Sequence, residues 1–307
     1  MKKWWVIIAG ILSYVIAIGM YMSNRIMFMK KKEDAFIQNR EIEAKRFSIK
    51  EFEALPKTEL PIPSPEGYSL KCVLIEPHDT KKWIIICHGV TENKINSFKY
   101  ADMFMKLGFN AVIYDHRRHG ESGGKTSSYG HYEKFDLQAV IAEVKKRKGN
   151  DITLGIHGES MGAVTTLLYA GMLEDAADFY IADCPFSNFE EQIKHQMSQE
   201  VPVPSWAVFP IGRAFIKLRD GYWTSEVSPI DYVNNIQKPI LFIHSEPDRF
   251  IPASMTQALY EKKRGPKQLY LAKKGAHAQS YNENPEEYKA QVKLFLETYV
   301  YDKEEGT

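Results

Sequence analysis

The chain has 307 residues, enough for one large α/β domain with a short appendage. Its hydrophobic share of 44% and charged share of 26% argue for a folded protein that buries a real core. A formal net charge of +1, with no basic stripe interleaved with aromatics outside the N-terminal segment, gives no reason to expect a nucleic-acid partner. Cys72, Cys87 and Cys184 are too few and too scattered for a disulfide framework, and no C-x-x-C pair suggests zinc or redox chemistry. Each lies in or beside an apolar run and reads as a small buried hydrophobe.

Residues 4–22 (WWVIIAGILSYVIAIGMYM) form an uncharged run of 19 residues, just long enough as a helix to cross the hydrocarbon core of a bilayer. Trp4, Trp5 and Tyr21 stand at its ends, where amphipathic rings favour the membrane–water interface. The run is expected to be a single-pass anchor behind a short tail, residues 1–3. A signal peptide cleaved near Ala17-Ile18-Gly19, giving a secreted protein, is the alternative; the length of the run and the basic flank after it argue against cleavage. Positive charge on both sides, slightly more downstream, only leans towards a cytoplasmic domain. Residues 23–56, rich in Lys, Arg and Glu with spaced apolar positions, read as a charged helical stalk, mainly a solvated linker.

From residue 57 the pattern changes. Leu60 to Ser64 and Ser69 to Glu76 read as two strands around a Pro- and Gly-containing turn. Short apolar runs follow at 83–87, 111–114, 152–156, 179–182 and 240–243, alternating with helix-period segments at 98–107, 135–146, 160–172, 253–263 and 286–299. That alternation predicts a mostly parallel, doubly wound sheet with its ligand site at the carboxyl ends of the strands. Residues 57–189 and 237–303 form the predicted core. Residues 190–236, too long for a plain connection and carrying exposed-looking aromatics (Trp206, Phe209, Phe215, Tyr222, Trp223) and a Val201-Pro202-Val203-Pro204 stretch, read as a cap inserted over the site.

Gly158-Glu159-Ser160-Met161-Gly162 follows one apolar run and opens a helical one. Small residues two positions either side of a serine permit a strand-to-helix turn so sharp that it leaves Oγ exposed, with a helix N-terminus behind it. In register with it lie His88-Gly89-Val90, Asp115-His116-Arg117-Arg118-His119-Gly120-Glu121-Ser122, Asp248 in the segment ending Ile251-Pro252, and His277 in Gly275-Ala276-His277.

Over residues 57–300 these motifs resemble the α/β-hydrolase family in kind and order, and in particular membrane-anchored serine hydrolases of the serine aminopeptidase and monoglyceride lipase groups. The second motif departs from the family loop in carrying His119 where many members have Gly. The resemblance implies the α/β-hydrolase fold and a Ser…Asp…His triad: Ser160 as nucleophile, His277 as the base that takes its proton, and Asp248 as the acid that fixes the imidazole tautomer. Glu246 is the competing acid. The implied oxyanion hole uses the backbone N–H groups of Val90 and Met161, with Gly89 allowing close approach, His88 orienting the loop, and Gly158 and Gly162 shaping the turn. His116 and His119 lack a third ligand at metal spacing, so neither a metal nor a cofactor is expected.

A triad of this kind predicts acyl transfer through an acyl-enzyme. The apolar cap and anchor favour a carboxylic ester with a hydrophobic, lipid-like part as substrate. A peptidase or thioesterase on the same triad is the alternative, and a catalytically inactive membrane-anchored binding protein is the alternative of another class.

Overall fold

The computed structural model describes residues 2–200 and 204–301; Val201, Pro202 and Val203 of the proline-containing stretch lie outside the described residues. An eight-stranded sheet forms the centre, built from β1 (Lys57–Pro63), β2 (Ser69–Ile75), β3 (Lys82–Cys87), β4 (Asn110–Tyr114), β5 (Thr153–Glu159), β6 (Phe179–Asp183), β7 (Ile240–Ser245) and β8 (Lys267–Ala272). Their spatial order is β1-β2-β4-β3-β5-β6-β7-β8. Only the pairs β1–β2 and β2–β4 are antiparallel; the other five are parallel. The apolar runs are continuous because the central strands are covered on both sides. In β3, Trp83, Ile85 and Cys87 enter one core cluster while Ile84 and Ile86 enter the other. β8 lacks a continuous apolar signature because it is an edge strand, only partly buried, that opens on Lys267 and Gln268.

Helices α1 (Lys2–Met27), α2 (Asp34–Glu43) and α3 (Ile49–Ala54) precede the sheet. α4 (Lys94–Met105) and α12 (Pro285–Tyr299) cover one face; α5 (Glu133–Lys148), α6 (Met161–Leu168) and α10 (Ala253–Lys262) cover the other. α6 is shorter than its apolar pattern suggests, passing into a π-helical turn at Tyr169–Leu173. Two short helices, α9 (Pro229–Tyr232) and α11 (Ser280–Glu283), bracket β7 and β8 in the chain. The insertion after β6 supplies α7 (Phe189–Glu200) and α8 (Ser205–Asp220), which form a third apolar cluster with α6 and the 129 region.

Two local expectations fail. The cap aromatics are not uniformly exposed: Trp206 is 79% exposed, but Tyr222 is wholly buried and Phe209 nearly so. Tyr222 stacks on His131, with ring centroids 4.4 Å apart, and so belongs to the floor of the cap rather than its surface.

Nor is the segment after the apolar run a solvated linker. Ile37, Phe47 and Phe52 are buried, and Phe47 and Phe52 pack against Phe98 of α4. Arg40 bonds Glu92 at 2.8 Å, and Asn93 donates to Asp34 at 2.8 Å. Part of the charge that suggested solvation, on Lys32, Asp34 and Arg40, is instead engaged with Glu92 and Asn93 of the 88–93 loop. α1 itself is long and apolar enough to cross a membrane by length and composition.

Candidate active site

β5 ends in Glu159 and α6 begins at Met161, so Ser160 alone makes the turn, at φ 54° and ψ −116°. That is a left-handed backbone for a residue with a Cβ, and the surroundings must hold it there. They do so partly through the Ser160 N–H, which donates to the Asp183 carbonyl at 2.8 Å. The flanking glycines are required by space. A Cβ on Gly158 would lie 2.4 Å from the Gly162 carbonyl, and one on Gly162 would lie 2.0 Å from the Cys87 carbonyl oxygen.

Three loops at the carboxyl ends of the strands bring their side chains together. Ser160 Oγ lies 2.8 Å from His277 Nε2, and His277 Nδ1 lies 2.7 Å from Asp248 Oδ2. Asp248 is saturated: its Oδ1 accepts from the N–H groups of Phe250 (2.8 Å) and Ile251 (3.0 Å), and its Oδ2 also accepts from His244 Nε2 at 3.1 Å. Burial alone would push this carboxyl up, but the hydrogen bonds from His244 and His277 outweigh it and hold Asp248 well below the usual carboxylate range. It therefore stays anionic opposite the imidazole. Glu246, the competing acid, turns away to an ion pair with Lys273 at 2.7 Å. Such a row can take the proton of Ser160 Oγ onto His277 and stabilise the imidazolium beside Asp248.

The loop of residues 88–93 crosses beside the serine, and two neutral histidines pin it. His88 Nδ1 meets the Gly89 carbonyl at 2.7 Å while its Nε2 accepts the His116 N–H at 2.9 Å. His119 Nδ1 meets the Arg117 carbonyl at 2.8 Å while its Nε2 accepts the Thr91 N–H at 3.1 Å. Both accepting nitrogens must be unprotonated. Burial keeps them so, pushing His88 down to about 4 and His119 down to about 3. His119, which departs from the family loop, thus fixes the residue after Val90. The Val90 N–H makes no bond to another part of the backbone among the described residues, and the Met161 N–H is one of the orphan donors at the start of α6. Among the described residues no group of three His, Cys, Asp or Glu could hold a metal ion.

Two groups here carry little signal in the sequence. Glu159 is buried and accepts from Lys99 (3.0 Å) and Tyr100 (2.6 Å), locking the turn from behind. His244, at the end of β7, holds Asp248 and the Ile251 carbonyl through Nε2, while its Nδ1 meets Thr256 Oγ1 at 2.7 Å. Its only signal is a position four residues before the acid. His244→Phe removes a donor from a buried carboxylate and is expected to cost about 1–3 kcal/mol of stability. Urea unfolding checks the stability, and the accompanying fall in kcat should be far smaller than that of His277→Ala.

The serine aminopeptidase S33 family model matches residues 78–218. The uncharacterised protein YqkD of Bacillus subtilis is 52% identical over 97% of this chain and 98% of its own length. The lysophosphatidylserine lipase ABHD12 of Macaca fascicularis is 30% identical over 50% of this chain and 38% of that one. Among solved structures, the Pyrococcus furiosus esterase Pf2001 superposes with a TM-score of 0.67, at 23% identity, over 83% of this chain and 96% of that one. The chain belongs to the α/β-hydrolase family. As an α/β-hydrolase it is similar to esterases and lipases, and its sheet order and Ser…Asp…His chain order are those of the fold.

Two cavities meet at Ser160 of this hydrolase. One, of about 340 Å³, is apolar and lies between α1, the cap and residues such as Met161, Phe186 and Phe189. The other, of about 520 Å³, is more polar: its lining mixes charged and polar residues (Arg40, Lys99, Arg249, Glu92, Glu159, His277) with apolar ones such as Val90 and Phe250.

Proposed function

We propose that this α/β-hydrolase is a serine esterase for amphiphilic carboxylic esters, anchored in a membrane by α1. The observation that carries the reading is the position of Ser160 at the junction of an apolar cavity and a more polar one that holds charged side chains. An ester with a hydrocarbon acyl group and a polar leaving group matches both at once. Ser160 attacks the carbonyl while His277 takes its proton, and Asp248 holds the imidazolium. The oxyanion is received by the Val90 and Met161 N–H groups; the resulting acyl-enzyme is released by water. The likeness to a lysophosphatidylserine lipase supports a lipid ester, while the likeness to the serine aminopeptidase family makes an aminoacyl amide the competing substrate.

Membrane attachment is supported by the exposed side chains of α1: Trp4, Trp5, Val6 and Ile11 are each at least 60% exposed, an apolar surface that water does not favour. Cleavage near Gly19 would discard residues that pack on the cap, which favours a retained anchor over a signal peptide.

The test uses the full chain recovered with membranes, its N-terminus checked by mass, against dodecanoyl and butanoyl esters, a thioester and an aminoacyl amide of matched leaving group. Expected is a kcat/KM for the dodecanoyl ester at least about tenfold above that for the butanoyl ester, the scale set by a buried hydrocarbon in an apolar site. A preference for the amide overturns the esterase reading in favour of a peptidase.

A further inference from the structure

An anchor need only be long and apolar, yet the second half of α1 is fitted to the cap. The Phe215 ring of α8 lies over Gly19, where a Cβ would come within 2.2 Å of it; reciprocally, Met22 lies over Gly212 of α8, where a Cβ would come within 2.9 Å of its sulfur. Small residues at such points let helices approach closely. Polar ties reinforce the contact. Arg219 of α8 donates to Ser23 Oγ, Arg25 pairs with Glu200 of α7 at 2.6 Å, and the Ser127 N–H donates to the Met27 carbonyl at 3.0 Å.

This docking turns a stripe of α1 inward. Ile18, Met22 and Ile26 recur every four residues, and with Met29 they pack against the apolar cluster of the cap and α6. The same residues, with Tyr14 and Tyr21, line the apolar cavity that Ser160 also lines. From Tyr14 to Ile26 the helix runs about 18 Å along its axis. Its other half, from Trp4 to Leu12, is exposed and apolar. One helix thus joins the surface suited to lipid and the cavity that the nucleophile lines.

We propose that α1 is a wall of the acyl-chain site: Ile18, Met22 and Ile26 determine chain-length specificity, and the acyl chain of the substrate enters along this helix from the bilayer. The proposal rests on the esterase reading and adds to it the part of the chain that measures the acyl group. It requires no group beyond those already named, because the chemistry at Ser160 is unchanged and only the acyl contacts differ.

The test compares the full-length chain in phospholipid nanodiscs with its Ile26→Trp and Ile26→Ala variants, reading the ratio of kcat/KM for dodecanoyl and butanoyl esters and, for longer chains, the ratio for hexadecanoyl and dodecanoyl esters. Fluorophosphonate labelling of Ser160 reports that the site is assembled. Filling the cavity with Trp should lower the ratio at least about tenfold, and Ala should move the preferred chain towards longer acyl groups, since each methylene in such a pocket is worth roughly a tenfold or greater discrimination. Ile8→Ala, on the exposed half, should leave the ratio within about twofold, within the range of surface substitutions. Labelled variants whose ratio matches wild type, or an Ile8→Ala effect equal to that of Ile26→Trp, overturn the wall proposal and leave the esterase standing. If Ile26→Trp takes no label, Ile26→Ala alone decides. Wild type that neither takes the label nor cleaves either ester defeats both readings.

Discussion

Ser160→Ala is expected to lower kcat on ester substrates by about 10⁴-fold or more and to abolish covalent labelling by a fluorophosphonate, with the fold intact. Ser160 is held at φ 54°, with its N–H on the Asp183 carbonyl, and alanine has the same Cβ, so the backbone strain is unchanged and only Oγ is lost. His277→Ala should cost about as much, because an alcohol without its base is a poor nucleophile, and the double variant should be little worse than either alone. This follows from the single hydrogen-bonded row through Ser160, His277 and Asp248. Steady-state kinetics on a butanoyl ester measure all three. A loss below about tenfold for His277→Ala would send the base assignment to another residue.

Acid is expected to destabilise the protein well before its ordinary carboxylates titrate. An unfolded histidine takes up a proton near pH 6.5. In the fold, burial holds His88 and His131 down to about 4, His119 and His157 down to about 3, and His116 well below its ordinary value. Their stability contribution is complete above pH 6.5 and is lost as the pH falls, because the unfolded chain then binds protons that the folded chain refuses. Asp136 and Asp183 oppose this: burial raises both to about 7, and it raises Asp220 as well, so the fold binds their protons first and gains stability as the pH falls. The five histidines outnumber the opposing aspartates, so the unfolded chain binds more protons than the folded one and stability falls as the pH drops between roughly pH 6 and pH 4.5. Urea midpoints at several pH values across that window check it. A midpoint that is flat or rises towards acid contradicts the balance. The loss also bears on the site, since protonated His88 and His119 could no longer accept the N–H groups of His116 and Thr91.

The parts of the site legible in the sequence are those governed by local rules. The glycines around Ser160 mark a turn that has no room for a Cβ, and their spacing is read within five residues even though the atom facing Gly162 belongs to Cys87 on a neighbouring strand. The core strands are visible because burial on both faces makes them continuously apolar. What stays hidden depends on distant partners. His244 looks like any residue ending a strand until Asp248 turns back upon it. Residues 23–56 look solvated when charge is counted without its partners, whereas Glu41 is buried between Arg40 and Arg46. Tyr222 looks like a cap surface aromatic because nothing near it in sequence announces the His131 ring.

The two glycine contacts between α1 and α8 carry a consequence for how such a chain can change over time. A lipid-spanning segment that serves only as an anchor can drift among apolar residues with little penalty. Here Gly19 and Met22 are halves of two interlocking pairs whose other halves, Phe215 and Gly212, lie nearly two hundred residues downstream. Enlarging Gly19 should be tolerated only with a smaller residue at 215, and a larger residue at 212 only with a smaller one at 22. Relatives that keep this arrangement are therefore expected to vary at these positions in matched pairs, and a chimera that borrows its N-terminal helix from a distant hydrolase should inherit a mismatch in its cap.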